Sequence, residues 1–175
     1  HNRCIRVSCG PEAEMAAFAL REALPLTGSG GGALFFVAQG GAGLIPMAWH
    51  GVPQELDMGP SPATGDTPWG VVLATGLPLV LNDFSMFQDG RPEGYLGLER
   101  FLGVPALDGE RPMAVLALLG KAEPYTADDS LQVSLLMDGM WRIVRGRRDE
   151  ERIRASLREK DALLRELHQI GRAHV

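Results

Sequence analysis

Apolar positions recur with a helical period over residues 11 to 24, where Met15, Ala19 and Ala23 step by four and Phe18 widens the stripe. Pro11 at the start and Pro25 just beyond the end bound a predicted helix. The run Thr27–Ala33 is a glycine-rich turn; no Gly-Lys-Ser/Thr follows, so the spacing of a phosphate-binding loop is missing. Leu34–Ala38 and Leu44–Trp49 read as strands joined by Gln39–Gly43, a hairpin whose Pro46 predicts an edge or a bulge in its second strand. Pro68–Thr75 reads as a short helix ended by Gly76, and Leu77–Leu81 as a strand closed by Asn82 and Asp83. Residues 84 to 97 are loop-like, residues 98 to 105 lead into the apolar segment Phe101–Pro105, and Met113–Leu119 is continuously apolar, as a central strand covered on both faces would be. Helix, two strands, short helix, three strands and long helix predict an α+β domain with flanking helices on a largely antiparallel central sheet.

Thr126 and Asp129 have capping-box spacing at the start of the last helix, and Asp128 and Asp129 complement its positive end. Capping accounts for this acidic pair without a metal or catalytic role. The helix is expected to run to about residue 168, with Leu135, Leu136, Met140, Trp141, Ile143 and Val144 packing on the sheet. Beyond Arg148 one narrow stripe remains: Ile153, Leu157, Lys160, Leu164 and Leu167, in steps of 4, 3, 4 and 3. That is a heptad seam with a lysine at one position, and it predicts a parallel homodimer through the C-terminal helix. Gly139 and Gly146 loosen the helix locally, each costing about 1 kcal/mol relative to alanine.

The 175 residues are 45% hydrophobic and 22% charged, enough to bury a core and unlike a disordered chain. Residues 1 to 140 carry 7 basic and 16 acidic side chains, whereas residues 141 to 168 carry 9 basic and 6 acidic. The net charge of -5 argues against nucleic acid as a partner. No apolar run reaches the ~20 residues a bilayer requires and no signal-peptide pattern opens the chain, so no membrane contact and a cytoplasmic location are expected. Cys4 and Cys9 are either inert thiols or a disulfide; a metal would need two further ligands, and none is expected. The start at His1 suggests a fragment, with residues 1 to 10 the tail of an upstream segment.

Further segments carry a family resemblance. Gly70–Asp83, Arg91–Tyr95, Leu98–Pro105, Lys121–Tyr125, Asp138–Val144 and Arg147–Glu151 resemble a bacterial subgroup of GAF domains, which are small-molecule sensing and dimerisation modules. The resemblance implies a GAF-like sensor domain over residues 11 to 146, and a ligand held between the sheet and a cover formed by residues 50 to 75 and 84 to 100. The expected ligand-binding residues are Phe36, Trp49, Trp69, Asn82, Asp83, Tyr95, Arg100 and Lys121, aromatic walls with a few polar groups suited to a small organic molecule. Tyr95 stands where the subgroup often has histidine, and Gly120 where it often has asparagine.

Ser156–His168 is similar to the approach to the phosphoacceptor box of histidine kinases of the HWE/HisKA-2 group. Glu166, Leu167 and His168 match the first three residues of that box, and the phosphorylated histidine, its next residue, falls at Gln169. The resemblance implies a signalling helix over residues 147 to 169, entering a truncated phosphoacceptor helix. Residues 170 to 175 have no logic as its continuation and resemble a translated sequencing adapter, an artefactual end. The implied parent is a two-component sensor histidine kinase acting on a response regulator. ATP and Mg are expected only for its kinase domain, and no catalytic residue or cofactor in this fragment. Two other readings stand beside it. One is a GAF sensor or adaptor regulating a non-kinase output such as cyclic-dinucleotide turnover. The other is a free methionine sulfoxide reductase, disfavoured because both cysteines precede the first helix; the lack of cysteine in residues 11 to 175 also excludes thioether attachment of a tetrapyrrole.

Overall fold

The computed structural model describes residues 5–41, 43–52, 67–83 and 99–174. In chain order these form β1 (Arg6–Val7), α1 (Pro11–Thr27), β2 (Gly31–Val37), a short 3-10 turn, β3 (Leu44–His50), α2 (Pro68–Thr75), β4 (Leu79–Leu81), β5 (Phe101–Asp108), β6 (Arg111–Leu119) and α3 (Ala127–Ala173). The six strands make one sheet in the order β1-β3-β2-β6-β5-β4, with every neighbouring pair antiparallel. By contact the chain divides into two compact units, His1–Trp141 and Arg142–Val175.

The apolar run of β6 lies at the centre, between β2 and β5, and Ala114–Leu119 are all buried. On one face, Leu34 and Phe36 of β2 alternate with Leu116 and Leu118 of β6 and Leu102 and Val104 of β5. This is the face of α1 and α3: a Cβ on Gly32 would lie 3.2 Å from Leu20 of α1, and Phe36 meets Trp141 of α3 edge-on at 5.7 Å between ring centroids. Burying each large side chain of this layer contributes about 1.5–3 kcal/mol. The opposite face carries Phe35, Val115, Ala117, Leu119 and Phe101, over which α2 lays Trp69 and Val72.

The hairpin forms where expected, and its register slips between Leu34, opposite Ala48, and Phe35, opposite Pro46. Pro46 thus sits at a bulge, its carbonyl accepting from the Ser8 hydroxyl at 2.6 Å. Several expectations are corrected. Pro25 lies inside α1, which runs on to Thr27. The helix closes soon after it at Gly28 (φ 71), with Gly28 N–H donating to the Pro25 carbonyl and Ser29 N–H to that of Leu24.

The glycine run is only partly a turn, since Gly31 and Gly32 already belong to β2. A Cβ on Gly32 would stand 2.6 Å from the Ala117 carbonyl oxygen, so glycine is required there by close approach. Residues before Pro11 include a strand, β1, paired with Ala48 and Trp49. In α3 the buried row is Val133, Met137, Met140, Trp141 and Val144, whereas Leu135 and Ile143 are 65% and 48% exposed. Met140, Trp141 and Val144 are buried as expected and Leu136 is half-buried, while Val133 and Met137 stand in for Leu135 and Ile143. Finally, α3 continues beyond residue 168 as far as Ala173.

Candidate functional site

The side of the sheet under α2 is apolar. Thr67 caps α2 by accepting from the Gly70 N–H at 3.2 Å, and Gly76 (φ 66) ends it, which fixes Trp69 and Val72 against the strands. Trp69, Phe35, Leu79, Leu81 and Val52 pack, half-buried, around the buried group Phe101, Ala117 and Leu119. Gly103 lies in the same floor, where a Cβ would come within 2.8 Å of both Val72 and the Phe101 ring. Trp49 pairs with Ala33 across β2–β3 and therefore faces this side as well.

Polar chemistry collects elsewhere, around the connection from β6 to α3. Asn82, just past β4, grips the backbone of Tyr125 with both ends of its amide: Oδ1 accepts from the Tyr125 N–H at 2.7 Å, and Nδ2 donates to the Tyr125 carbonyl at 3.0 Å. Arg100, just before β5, donates through Nη1 to the Lys121 carbonyl at 3.4 Å. Its Nε is buried without a hydrogen bond among the described residues.

Lys121 Nζ donates to Asp129 Oδ2 at 2.6 Å and stands 5.5 Å from the Tyr125 ring centroid. Asp129 also closes the capping box, accepting from the Thr126 N–H at 2.8 Å while its own N–H donates to Thr126 Oγ1 at 3.2 Å. Burial alone would raise the Asp129 carboxyl, but the Lys121 ammonium and the Thr126 donors outweigh it and hold the group below its ordinary value. The Tyr125 hydroxyl is buried and bonds Ser29 Oγ at 2.7 Å, and Ser29 in turn bonds Thr27 Oγ1 at 2.6 Å. Burial, opposed by the Ser29 bond and reinforced by the Asp129 charge, pushes the phenol up to about 12.

The seven expected ligand residues that are described fall into separate groups. Trp49 and Trp69 lie on the α2 side of the sheet. Phe36 lies on the other side, where its edge contact with Trp141 uses the ring for packing, and the β2 residue facing Trp69 is Phe35. The strict alternation of Gly32, Leu34 and Phe36 against Ala33, Phe35 and Val37 was the signal that separates the two phenylalanines. Asn82, Arg100 and Lys121 are brought together, but their recorded bonds hold the start of α3. Asp83 is exposed, and Tyr95 lies outside the described residues, as does most of the expected cover. Ser29 and Tyr125 had no local sequence signal, since they meet across 96 positions. Among the described residues no group of three or more His, Cys, Asp or Glu side chains is placed to hold a metal, and no helix is long and apolar enough to cross a membrane.

In the second unit the stripe predicted from spacing is exposed: Ile153, Leu157, Leu164 and Leu167 are each more than half accessible. His168 Nδ1 lies 2.9 Å from the Leu164 carbonyl, one turn back on the same helix.

A six-stranded antiparallel sheet with α1 and the first part of α3 on one side and α2 on the other defines an α+β domain of the GAF type. Residues 10–145 match the GAF domain family, and the chain belongs to it. It is 30% identical over 166 residues to a methyl sulfide methyltransferase-associated sensor of Methanosarcina acetivorans, covering 90% of this chain but only 17% of that relative. Among solved structures, the second GAF domain of DevS from Mycobacterium smegmatis aligns with a TM-score of 0.63 at 21% identity, covering 80% of this chain and 99% of that one. The GAF domain of a phosphoenolpyruvate-protein phosphotransferase from Coxiella burnetii reaches a TM-score of 0.68 at 14% identity, covering 82% and 88%. A type II free methionine-R-sulfoxide reductase from Thermoplasma acidophilum reaches 0.64 at 12% identity, covering 77% and 92%. At such identities these likenesses concern the fold.

Proposed function

We propose that this chain is the sensory and dimerisation region of a two-component sensor histidine kinase. It relays the state of a small molecule or partner to a C-terminal kinase through a helical stem. The observation that carries the reading is the construction of α3. Its first turn is fixed in the domain by Asp129, Thr126 and Lys121, and its distal part carries an apolar stripe on an otherwise charged helix. The similarity of Ser156–His168 to the approach to a phosphoacceptor box supports the kinase class of output, and the sensor role in the name of the Methanosarcina relative supports the sensory part of the reading.

In this reading the ligand enters on the α2 side of the sheet, against Trp69 and Trp49. Two copies join through the stem, and the parent passes a phosphoryl group to a response regulator in the cytoplasm. Hydrolysable nucleotide and Mg belong to the kinase domain. No phosphoryl-transfer step is assigned to the described residues of this chain.

The test is to sequence the parent locus through codon 169 and beyond. A second histidine followed by Arg-Val-Lys-Asn-Asn and an ATPase domain is the expected result. An open frame that encodes Ile170 to Val175 and then stops would overturn the kinase reading.

A further inference from the structure

Four parts of the domain meet at residues 120–126, which lead into α3. The end of α1 reaches them through Ser29 and the Tyr125 hydroxyl, the start of β5 through Arg100 and the Lys121 carbonyl, α3 itself through Asp129 and Lys121, and the end of β4 through Asn82. The last differs in kind. Asn82 satisfies the N–H and the carbonyl of one residue at once, as a paired strand would, although Asn82 and Tyr125 are 43 positions apart.

Like the two-residue β1 at the opposite edge, β4 is open to displacement. It is three residues long, lies at the sheet edge and pairs only with β5. Its Leu79 and Leu81 pack against the same buried Phe101, Ala117 and Leu119 group as Trp69 of α2. A rearrangement under α2 thus acts on a short edge strand whose following residue, Asn82, is clipped to the residue before the α3 cap.

We infer that Asn82 is the positioning residue that couples the packing of Trp69 under α2 to the first turn of α3. This rests on the reading of α3 as the output helix. The coupling needs no atom of Asn82 in contact with a ligand. Replacing its amide should disconnect the two regions while leaving both folded.

Amide hydrogen exchange on the full chain tests the coupling in a double-mutant cycle of Trp69→Leu and Asn82→Ala. Trp69→Leu is expected to speed exchange at Tyr125 and the first turn of α3 by about tenfold when Asn82 is present, and by less than about twofold in Asn82→Ala. The amides of β6, which no Asn82 bond touches, should be unchanged by Asn82→Ala alone. Equal effects of Trp69→Leu in both backgrounds would overturn the inference, as would a rise in β6 exchange matching that of α3, which marks general loosening.

If Asn82→Ala does not fold, Asn82→Asp serves in its place. It keeps the acceptor for the Tyr125 N–H and removes the donor to the carbonyl, so it should lose part of the coupling; full wild-type coupling would count against the clip. A locus without a kinase would defeat the proposed output but leave the exchange cycle intact. An additive cycle would defeat the clip and leave the proposed output standing.

Discussion

Asp129 is the residue on which most of the polar bonding at the start of α3 converges. One carboxylate oxygen accepts from Lys121, from the Thr126 N–H and from the Thr126 hydroxyl. Asp129→Ala removes both the ion pair and half the capping box, and leaves a mostly buried ammonium without its counter-ion. We expect a loss of about 2–4 kcal/mol by urea unfolding at pH 7. Because the folded carboxyl titrates below its unfolded value, its contribution is complete above about pH 4 and falls away as the pH drops through the folded value. The gap between wild type and Asp129→Asn should therefore narrow below pH 4; a gap that persists unchanged at pH 2 would show that the charge is not its source. Tyr125 behaves in the opposite sense. Its phenol is raised from 10.0 to about 12, so the stabilisation is intact below pH 10 and is lost as the pH climbs through 12. Tyr125→Phe should cost about 1 kcal/mol at neutral pH, and the deficit should shrink in strong alkali, measured by the same unfolding curves.

At the scale of elements, two glycines make opposite predictions. Gly32 in β2 has the Ala117 carbonyl oxygen 2.6 Å from where a Cβ would lie, a backbone atom of the central strand that cannot turn aside. Gly32→Ala should destabilise the domain by about 1–3 kcal/mol. Gly146 in α3 has nothing within 4 Å of that position, so Gly146→Ala should stabilise the helix by about 1 kcal/mol, seen as higher helicity and melting temperature in circular dichroism. The same contrast explains how much of the fold was legible in the sequence. Apolar runs placed β3, β5, β6 and α2 well, and Pro46 announced its bulge, because those signals act within a few residues. Gly31 and Gly32 read as a turn, since what crowds them is distant in sequence: the His50 and Gly51 carbonyls for Gly31, and for Gly32 the Ala117 carbonyl about 85 positions away in β6. The α3 face was legible at Met140, Trp141 and Val144 but not throughout, because Leu135 and Ile143 are as apolar as Val133 and Met137 and only the position of the sheet decides between them. For the candidate site, the face each described side chain takes and the bonds made by Asn82, Arg100 and Lys121 are set by tertiary packing that no local pattern carries.

For the whole molecule the decisive question is whether the exposed stripe of the second unit is the face of a homodimer. Ile153, Leu157, Leu164 and Leu167 expose between 55% and 63% of their surface, a cost in water that a second copy would remove. In a parallel pair Lys160 would meet Lys160 of the other copy inside the seam, so the dimer should form in the micromolar range and tighten when that charge is removed. Lys160→Leu replaces two facing ammonium groups with two packed side chains, worth about 1.5–3 kcal/mol each when buried, and should lower the dissociation constant by at least tenfold. Leu164→Asp places two carboxylates one turn further on in the same seam and should leave only monomer. Sedimentation equilibrium of the three proteins separates the cases. Strengthening by Lys160→Leu together with loss by Leu164→Asp identifies the stripe as the interface. Monomer throughout, or a dimer indifferent to both changes, would remove the stem from the proposed relay and leave the output to be carried by a single α3.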